Sequence, residues 1–340
     1  MTPRERVLRT LEFRNPDRVP RELWYLPGVE AQRRPELTRL LQEYPPDIHV
    51  PQVKYVVGAR EQGTPNTIGT YFDEWGCGWR VAEEGVVGEV KIHPLADWNA
   101  LRDYLPPDEI IDRVDFTRDL AEANRGERFV RASPRVRLFE RMQFLRGSEN
   151  LYLDLAYQPS ELFTLLDMVH EHYLREIEFW AKTDADAVSF IDDWGAQQNM
   201  LIDPELWRSM FKPRYAEYCS VLKRAGKKVF FHTDGFVEPI LEDLVEIGID
   251  AMNSQLFCMD IEGIGTRFRG RLTFWGEICR QHVLPFGSVD EVRNAVWRLR
   301  RALETELGGV IAQCEWGLHD PYENIEAVYS TWAEPLINGT

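Results

Sequence analysis

The sequence predicts an α/β protein: a single (β/α)8 TIM barrel over residues 1–340, with a lid-like segment inserted after the second strand. Three observations predict it. Apolar, strand-like runs alternate with helical periods along the whole 340-residue chain, which is the pattern of a parallel sheet with helical crossovers. Eight such runs can be counted, and no Pro/Gly/Ser-rich linker or internal repeat divides them. Most of the runs end in polar residues with chemical capacity, and barrels carry their sites at strand carboxyl ends.

Residues 4–14 make an amphipathic helix stopped by Asn15-Pro16. Residues 19–26 are the first strand and 47–57 the second. The segment 58–107 is rich in Gly, Asp and aromatics, with a hairpin arm at 89–92. It is the insertion, and ordered insertions on barrels usually wall or cover a pocket. The third strand is 129–136, followed by a long amphipathic helix over 160–182 and a fourth strand over 185–191. Asp203 caps a helix over 204–225, with Pro204 at its first position. The fifth strand, 228–231, leads to a short helix over 238–247 closed by Gly248. Residues 249–253, 272–275 and 309–312 are strands six, seven and eight.

Lys and Arg number 40 against 56 Asp and Glu, a net charge of −16. That balance speaks against nonspecific binding to nucleic acid or anionic membrane, which needs clustered cations. No apolar run reaches the length of a membrane span. The N-terminus enters its helix without a signal-peptide core. Five widely spaced cysteines make no disulfide framework. The expectation is a cytoplasmic enzyme of a small-molecule substrate, with a homodimer left open.

If the barrel is right, the strand-end residues converge on one mouth. They are Tyr25, Arg135 and Arg137, Asp192-Asp193-Trp194, His232 and Asp234, Asn253 and Gln255, Glu277, and Cys314-Glu315. Histidine, cysteine and carboxylates together form a metal-ligand inventory. Asp193 is the candidate acid/base carboxylate. Tyr25, Arg135, Asp192, Trp194, Asn253 and Gln255 are candidates for substrate binding. In the run 227–235, Lys-Lys-Val-Phe-Phe-His-Thr-Asp-Gly, two readings stay open: His232 and Asp234 hold a metal, or they pair by a hydrogen bond. Trp75 and Trp79 either stack on a flat substrate or fill a satellite core. His170 and His172 face different ways on their helix and should not share a metal.

Several of these motifs resemble one family. Arg4-Glu5-Arg6-Val7-Leu8 with Asn15-Pro16-Asp17-Arg18-Val19-Pro20 is similar to the N-terminus of the uroporphyrinogen decarboxylase superfamily. So are Ile191-Asp192-Asp193-Trp194-Gly195 and residues 226–235, 244–253 and 276–287, in the right order over residues 4–334. The resemblance implies a barrel and one of two chemistries: decarboxylation in porphyrin biosynthesis, or zinc-dependent, corrinoid-linked methyl transfer. A polycarboxylate tetrapyrrole is best held by arginine forks. The arginine-rich loop that decarboxylases carry after the first strand reads Leu23-Trp24-Tyr25-Leu26-Pro27-Gly28 here, and residues 49–52 offer no counterpart to their strand-two aspartate. The methyltransferase branch implies zinc ligands at His232 and Cys314, with Asp234 in place of the family's middle cysteine and Glu277 able to complete the set.

The expected function is therefore a metal-dependent methyltransferase or demethylase of a small methylated compound. His232, Asp234, Cys314 and Glu277 are the expected zinc ligands, and Asp193, His232 and Glu277 the catalytic groups. The methyl carrier would be a corrinoid on a separate partner protein. The alternatives are a decarboxylase of the uroporphyrinogen type and a non-catalytic barrel that binds a corrinoid or tetrapyrrole-like ligand.

Overall fold

Short, β-rich runs with a twofold side-chain period build the centre of the molecule, seen in a computed structural model that describes residues 1–52, 55–111 and 127–336. In chain order the strands are β1 (Trp24–Tyr25), β2 (Ile48–His49), β3 (Gly69–Phe72), β4 (Gly78–Val81), β5 (Glu89–Ile92) and β6 (Phe129–Ala132). Then come β7 (Ala187–Ile191), β8 (Lys228–Thr233), β9 (Ala251–Ser254), β10 (Thr273–Trp275), β11 (Val310–Ile311) and β12 (Glu315–Trp316). Seven of them form one curled parallel sheet in the order β11-β10-β9-β8-β7-β6-β2. The segment around β1 links its two ends: Arg21 bridges Ala312, β1 pairs with β12, and Asp47 N–H donates to the Arg21 carbonyl. The result is an α/β, TIM-barrel-like fold.

Alternation sorts the side chains. Phe129, Ala187, Phe230, Ala251, Trp275 and Ile311 pack together inside the sheet, with Val7 and Leu11 of the helix Pro3–Leu11 joining them. One layer higher the interior turns polar. Arg131 donates to Glu22 at 2.7 Å and to Ser189 at 2.6 Å, and Trp275 Nε1 donates to the other Glu22 oxygen at 2.7 Å. The opposite strand faces meet the helices in a larger apolar core.

Several expected elements change length. The fifth strand runs on to Thr233, so His232 lies within it. The second is regular only at Ile48–His49, and its residues 53–54 lie outside the described ones. The helix expected over 204–225 is two, Pro204–Met210 and Lys212–Arg224. Pro213 explains the break, since it lacks an N–H and its ring clashes with the preceding turn.

Within the insertion, β3, β4 and β5 form an antiparallel meander that includes the expected arm at 89–92. Arg141 holds it by ion pairs to Asp73 at 2.7 Å and Glu74 at 3.4 Å. Trp75 is buried edge-on against His172 and beneath the Arg141 guanidinium, and Trp79 donates to Asp73. Of the two readings of this motif, the satellite core describes Trp75. His170 pairs with Glu217 and His172 with Asp108, so the two point apart as expected.

Candidate functional site

Two loops at the carboxyl ends of β7 and β8 are pressed backbone to backbone. Gly195 N–H donates to the Asp234 carbonyl at 3.0 Å, and Phe236 N–H to that of Ala196 at 2.8 Å. A Cβ on either Gly195 or Gly235 would collide with the facing backbone, and Gly235 sits at φ +77, a region glycine enters without cost. This contact brings Asp193 and Asp234 to His232. Asp234 N–H donates to Asp193 Oδ1 at 2.9 Å, and His232 Nε2 lies 3.6 Å from Asp193 Oδ1 and 3.6 Å from Asp234 Oδ1.

The hydrogen bonds of Asn253 assign the tautomer of His232. The Asn253 amide nitrogen donates to the Trp275 carbonyl at 2.5 Å and to Gln313 Oε1 at 3.0 Å, so its oxygen faces the ring. That oxygen lies 2.6 Å from His232 Nδ1, which must therefore carry hydrogen. Nε2 is left as the ring atom directed at the two aspartates. The Trp24 ring packs against the imidazole with centroids 5.3 Å apart.

Among the described residues, Asp193, His232 and Asp234 are the one group whose ligand atoms all lie within 4.8 Å of one another. Ligands about 2.0–2.2 Å from a tetrahedral metal stand roughly 3.3–3.6 Å from each other, which matches both His232 spacings. Asp234 Oδ1 is buried and has no hydrogen-bond partner. A histidine whose far N–H is held by a carbonyl oxygen is the usual setting of a metal-bound imidazole. The donor set fits a metal.

Arg280 closes the other side. Its guanidinium bonds Asp234 Oδ2 and lies 3.2 Å from Glu277 and 3.0 Å from Glu315. Glu277 is buried and its Oε1 makes no hydrogen bond. Burial pushes its carboxyl up to about 7, Arg280 opposing the shift and Asp234 adding to it. The Glu140 side chain, on the first turn of the helix Leu138–Arg146, has a buried Oε2 without a partner. Its carboxyl is raised by burial, with Arg137 opposing and Asp193 adding.

Not every expected residue takes its expected place. Cys314 is turned away from the mouth: its thiol is buried in the helix-facing core and donates to the Tyr329 hydroxyl at 3.8 Å, and burial raises its pKa. Gln313 and Glu315 point inward to Asn253 and Arg280. Side chains alternate along a strand, so Cys314 between them points out, and the set His232, Asp234, Cys314 is not assembled. Asp192 is fully buried and accepts from Phe139 N–H at 2.5 Å, Glu140 N–H at 2.7 Å and the Tyr215 hydroxyl at 2.5 Å. It anchors a helix N-terminus instead of meeting substrate. Trp194 is also fully buried, stacked on Phe139 at 4.2 Å, and forms no pocket wall. Arg135 is engaged by Glu74 at 2.8 Å and lies over Tyr55.

Tyr25 is partly exposed at the end of β1. Gln255 accepts from Gly235 N–H at 3.2 Å and borders a cavity with Glu277 and Arg280. Sequence reasoning passed over Arg280, Glu140 and Gln313. Arg280 lies in irregular structure after β10, where the sequence carries no periodic signal for it.

The family model for uroporphyrinogen decarboxylase (URO-D) matches residues 141–334. Among solved structures, the chain is similar to a methyltransferase from Methanosarcina mazei, with TM-score 0.73, 16% identity and 98% of each chain covered. At that identity the likeness shows a shared fold. A chitinase from Chromobacterium violaceum aligns at TM-score 0.43 and 9% identity over 93% of this chain and 100% of that one, too distant to bear on function. No curated protein matches. Among the described residues no helix is long and apolar enough to cross a membrane.

Proposed function

The chain belongs to the uroporphyrinogen decarboxylase family, and from that premise we propose that it is a methyltransferase-type enzyme acting on a small methylated compound. A divalent metal held by Asp193, His232 and Asp234 and a corrinoid on a separate partner protein, as methyl carrier, complete the proposal. One observation carries it: the mouth gathers carboxylates around a single histidine, and Arg280 is already engaged by Asp234, Glu277 and Glu315. A decarboxylase of a polycarboxylate tetrapyrrole needs the reverse, free guanidinium forks facing a cleft. A non-catalytic barrel would offer an apolar mouth, whereas a buried carboxyl raised to about 7 supports catalysis.

An imidazole with two carboxylates is a harder donor set than one containing thiolate, and suits a metal that polarises oxygen. When bound, such a metal supplies Lewis acidity. The chain's own residues do the positioning. Asn253 fixes the imidazole, Arg280 holds Asp234 Oδ2 so that Oδ1 faces the site, and the Gly195–Gly235 contact sets the aspartates side by side. The insertion β3–β5 is proposed as a lid on this mouth.

Elemental analysis of protein purified without chelator tests the reading. About one equivalent of metal is expected in the wild type, and little in Asp234→Ala. Full occupancy in Asp234→Ala would remove that ligand from the scheme, and no metal in the wild type after loading would remove the metal. Turnover of uroporphyrinogen on the order of 1 per second or faster would replace methyl transfer with decarboxylation.

A further inference from the structure

Of the five cysteines, Cys77, Cys219 and Cys314 are buried, while Cys258 and Cys279 are half-buried. The exposed pair sits at the outlets of neighbouring strands. β9 and β10 are paired in parallel with Met252 opposite Phe274; Cys258 follows Met252 by six residues and Cys279 follows Phe274 by five. Both side chains border one cavity of about 50 Å³, room for roughly three to five water molecules. Of the groups around the Cys258 thiol, Cys279 acts on it more strongly than Asp234 or Glu277 does.

Short turns hold each residue. Cys258 N–H donates to the Gln255 carbonyl at 2.9 Å, and its thiol donates to Gln255 Oε1 at 3.7 Å. The Cys279 carbonyl accepts from Leu284 N–H at 2.9 Å. Next to Cys279 stands Arg280, whose guanidinium bonds Asp234. A covalent link between the two sulfurs would tie the loop after β9 to the loop that carries Glu277 and Arg280. A disulfide needs Cα atoms about 4.4–6.8 Å apart. Residues 276–279 belong to no helix or strand, so an adjustment there costs no strand pairing.

We propose that Cys258 and Cys279 form an oxidant-sensitive clasp: hydrogen peroxide converts the two thiols to a disulfide that fills the cavity and pins residues 276–282 beside the mouth. One sulfur, as thiolate, breaks the peroxide O–O bond and becomes a sulfenic acid, releasing one water. The second thiolate attacks that sulfur, forming the S–S bond and releasing a second water. Two thiols thereby lose two hydrogens and two electrons, and the peroxide takes them up. The clasp stands apart from the reaction proposed above; only its effect on turnover depends on it.

The full chain is treated with hydrogen peroxide, remaining thiols are blocked with iodoacetamide, and unreduced tryptic peptides are read by mass spectrometry. Arg267, Arg269 and Arg271 lie between the two cysteines, so only a disulfide joins peptides 229–267 and 272–280. The joined pair is expected as the main oxidation product, and dithiothreitol should separate it. Amide hydrogen exchange over residues 276–282 should slow on bridging. In Cys258→Ser and Cys279→Ser the surviving thiol should stop at the sulfenic acid and be trapped by dimedone, an adduct the wild type escapes by closing the bridge. Separate sulfinic acids on the two residues, a disulfide between two molecules, no reaction at either thiol, or bridging without slower exchange overturns the proposal. If one serine variant does not fold, the other and the wild-type peptide map decide. Bridging in a protein that binds no metal removes the metal alone, and a metal-bound protein that does not bridge removes the clasp alone.

Discussion

Glu22 and Arg131 meet inside the barrel, one charge against one charge, with Ser189 and the Trp275 indole taking up further hydrogen-bonding atoms. A layer above, Asp193, Asp234, Glu277 and Glu315 surround His232 and a single Arg280, and two of their carboxylate oxygens, Asp234 Oδ1 and Glu277 Oε1, make no hydrogen bond, although each has a basic nitrogen within 3.6 Å. The lower cluster leaves only Arg131 Nε unpaired. Both are polar, and the upper one is built mainly from residues just beyond the strand ends. The difference lies in charge balance and in spare acceptors. A balanced buried cluster is finished by folding, whereas an unbalanced one with idle oxygens waits for a cation or a donor from outside.

The sharpest way to break this distinction is to remove each arginine in turn. Arg131→Met leaves Glu22 as an uncompensated buried charge and should cost about 3–5 kcal/mol of stability in urea unfolding. Arg280→Met should cost clearly less, because its side chain is 21% exposed and its partners face the mouth. Equal losses would mean that the mouth is also a structural cluster.

The next effect is a gain. The Glu277 carboxyl, raised from 4.5 to about 7, binds its proton more tightly in the folded than in the unfolded chain. Stability of metal-free protein should therefore fall as pH rises from about 4.5 to about 7 and then level off. At pH 8, Glu277→Gln should be the more stable protein by up to about 3 kcal/mol. A wild type that gains stability over that window, with no gain in the variant, would place Glu277 among the balanced groups.

The smallest effect sharpens the site. Asn253→Ala removes the acceptor that holds His232 Nδ1 and should lower metal affinity about 10–100-fold, measured by competition with a chromophoric chelator. An unchanged affinity would show that the ring is held by packing on Trp24 alone.

Much of this site could be read from residue order, because strand ends are marked by where apolar runs stop. His232, Asp234 and Asp193 were legible that way, and so was Glu277. Cys314 was not. Inward and outward positions differ by one residue, and the eighth strand is regular only at Val310–Ile311 before pairing resumes at Glu315, so the run of apolar residues gives no phase. Asp192 and Trp194 misled for a related reason: a polar or aromatic residue at a strand end serves the helix behind as readily as the mouth in front. Arg280 lies on an irregular loop, where no periodicity predicts the direction of a side chain.

The contact between Gly195 and Gly235 has a consequence for transplantation. Copying the His-x-Asp-Gly string onto another barrel would carry one loop and leave its neighbour behind. A host with any side chain at the facing position could not let the loops close, since a Cβ there meets backbone atoms. The portable part is the pair of segments 192–196 and 232–236 on adjacent strands. Their spacing belongs to the join, and a donor sequence edited one loop at a time would pass through intermediates in which neither loop works.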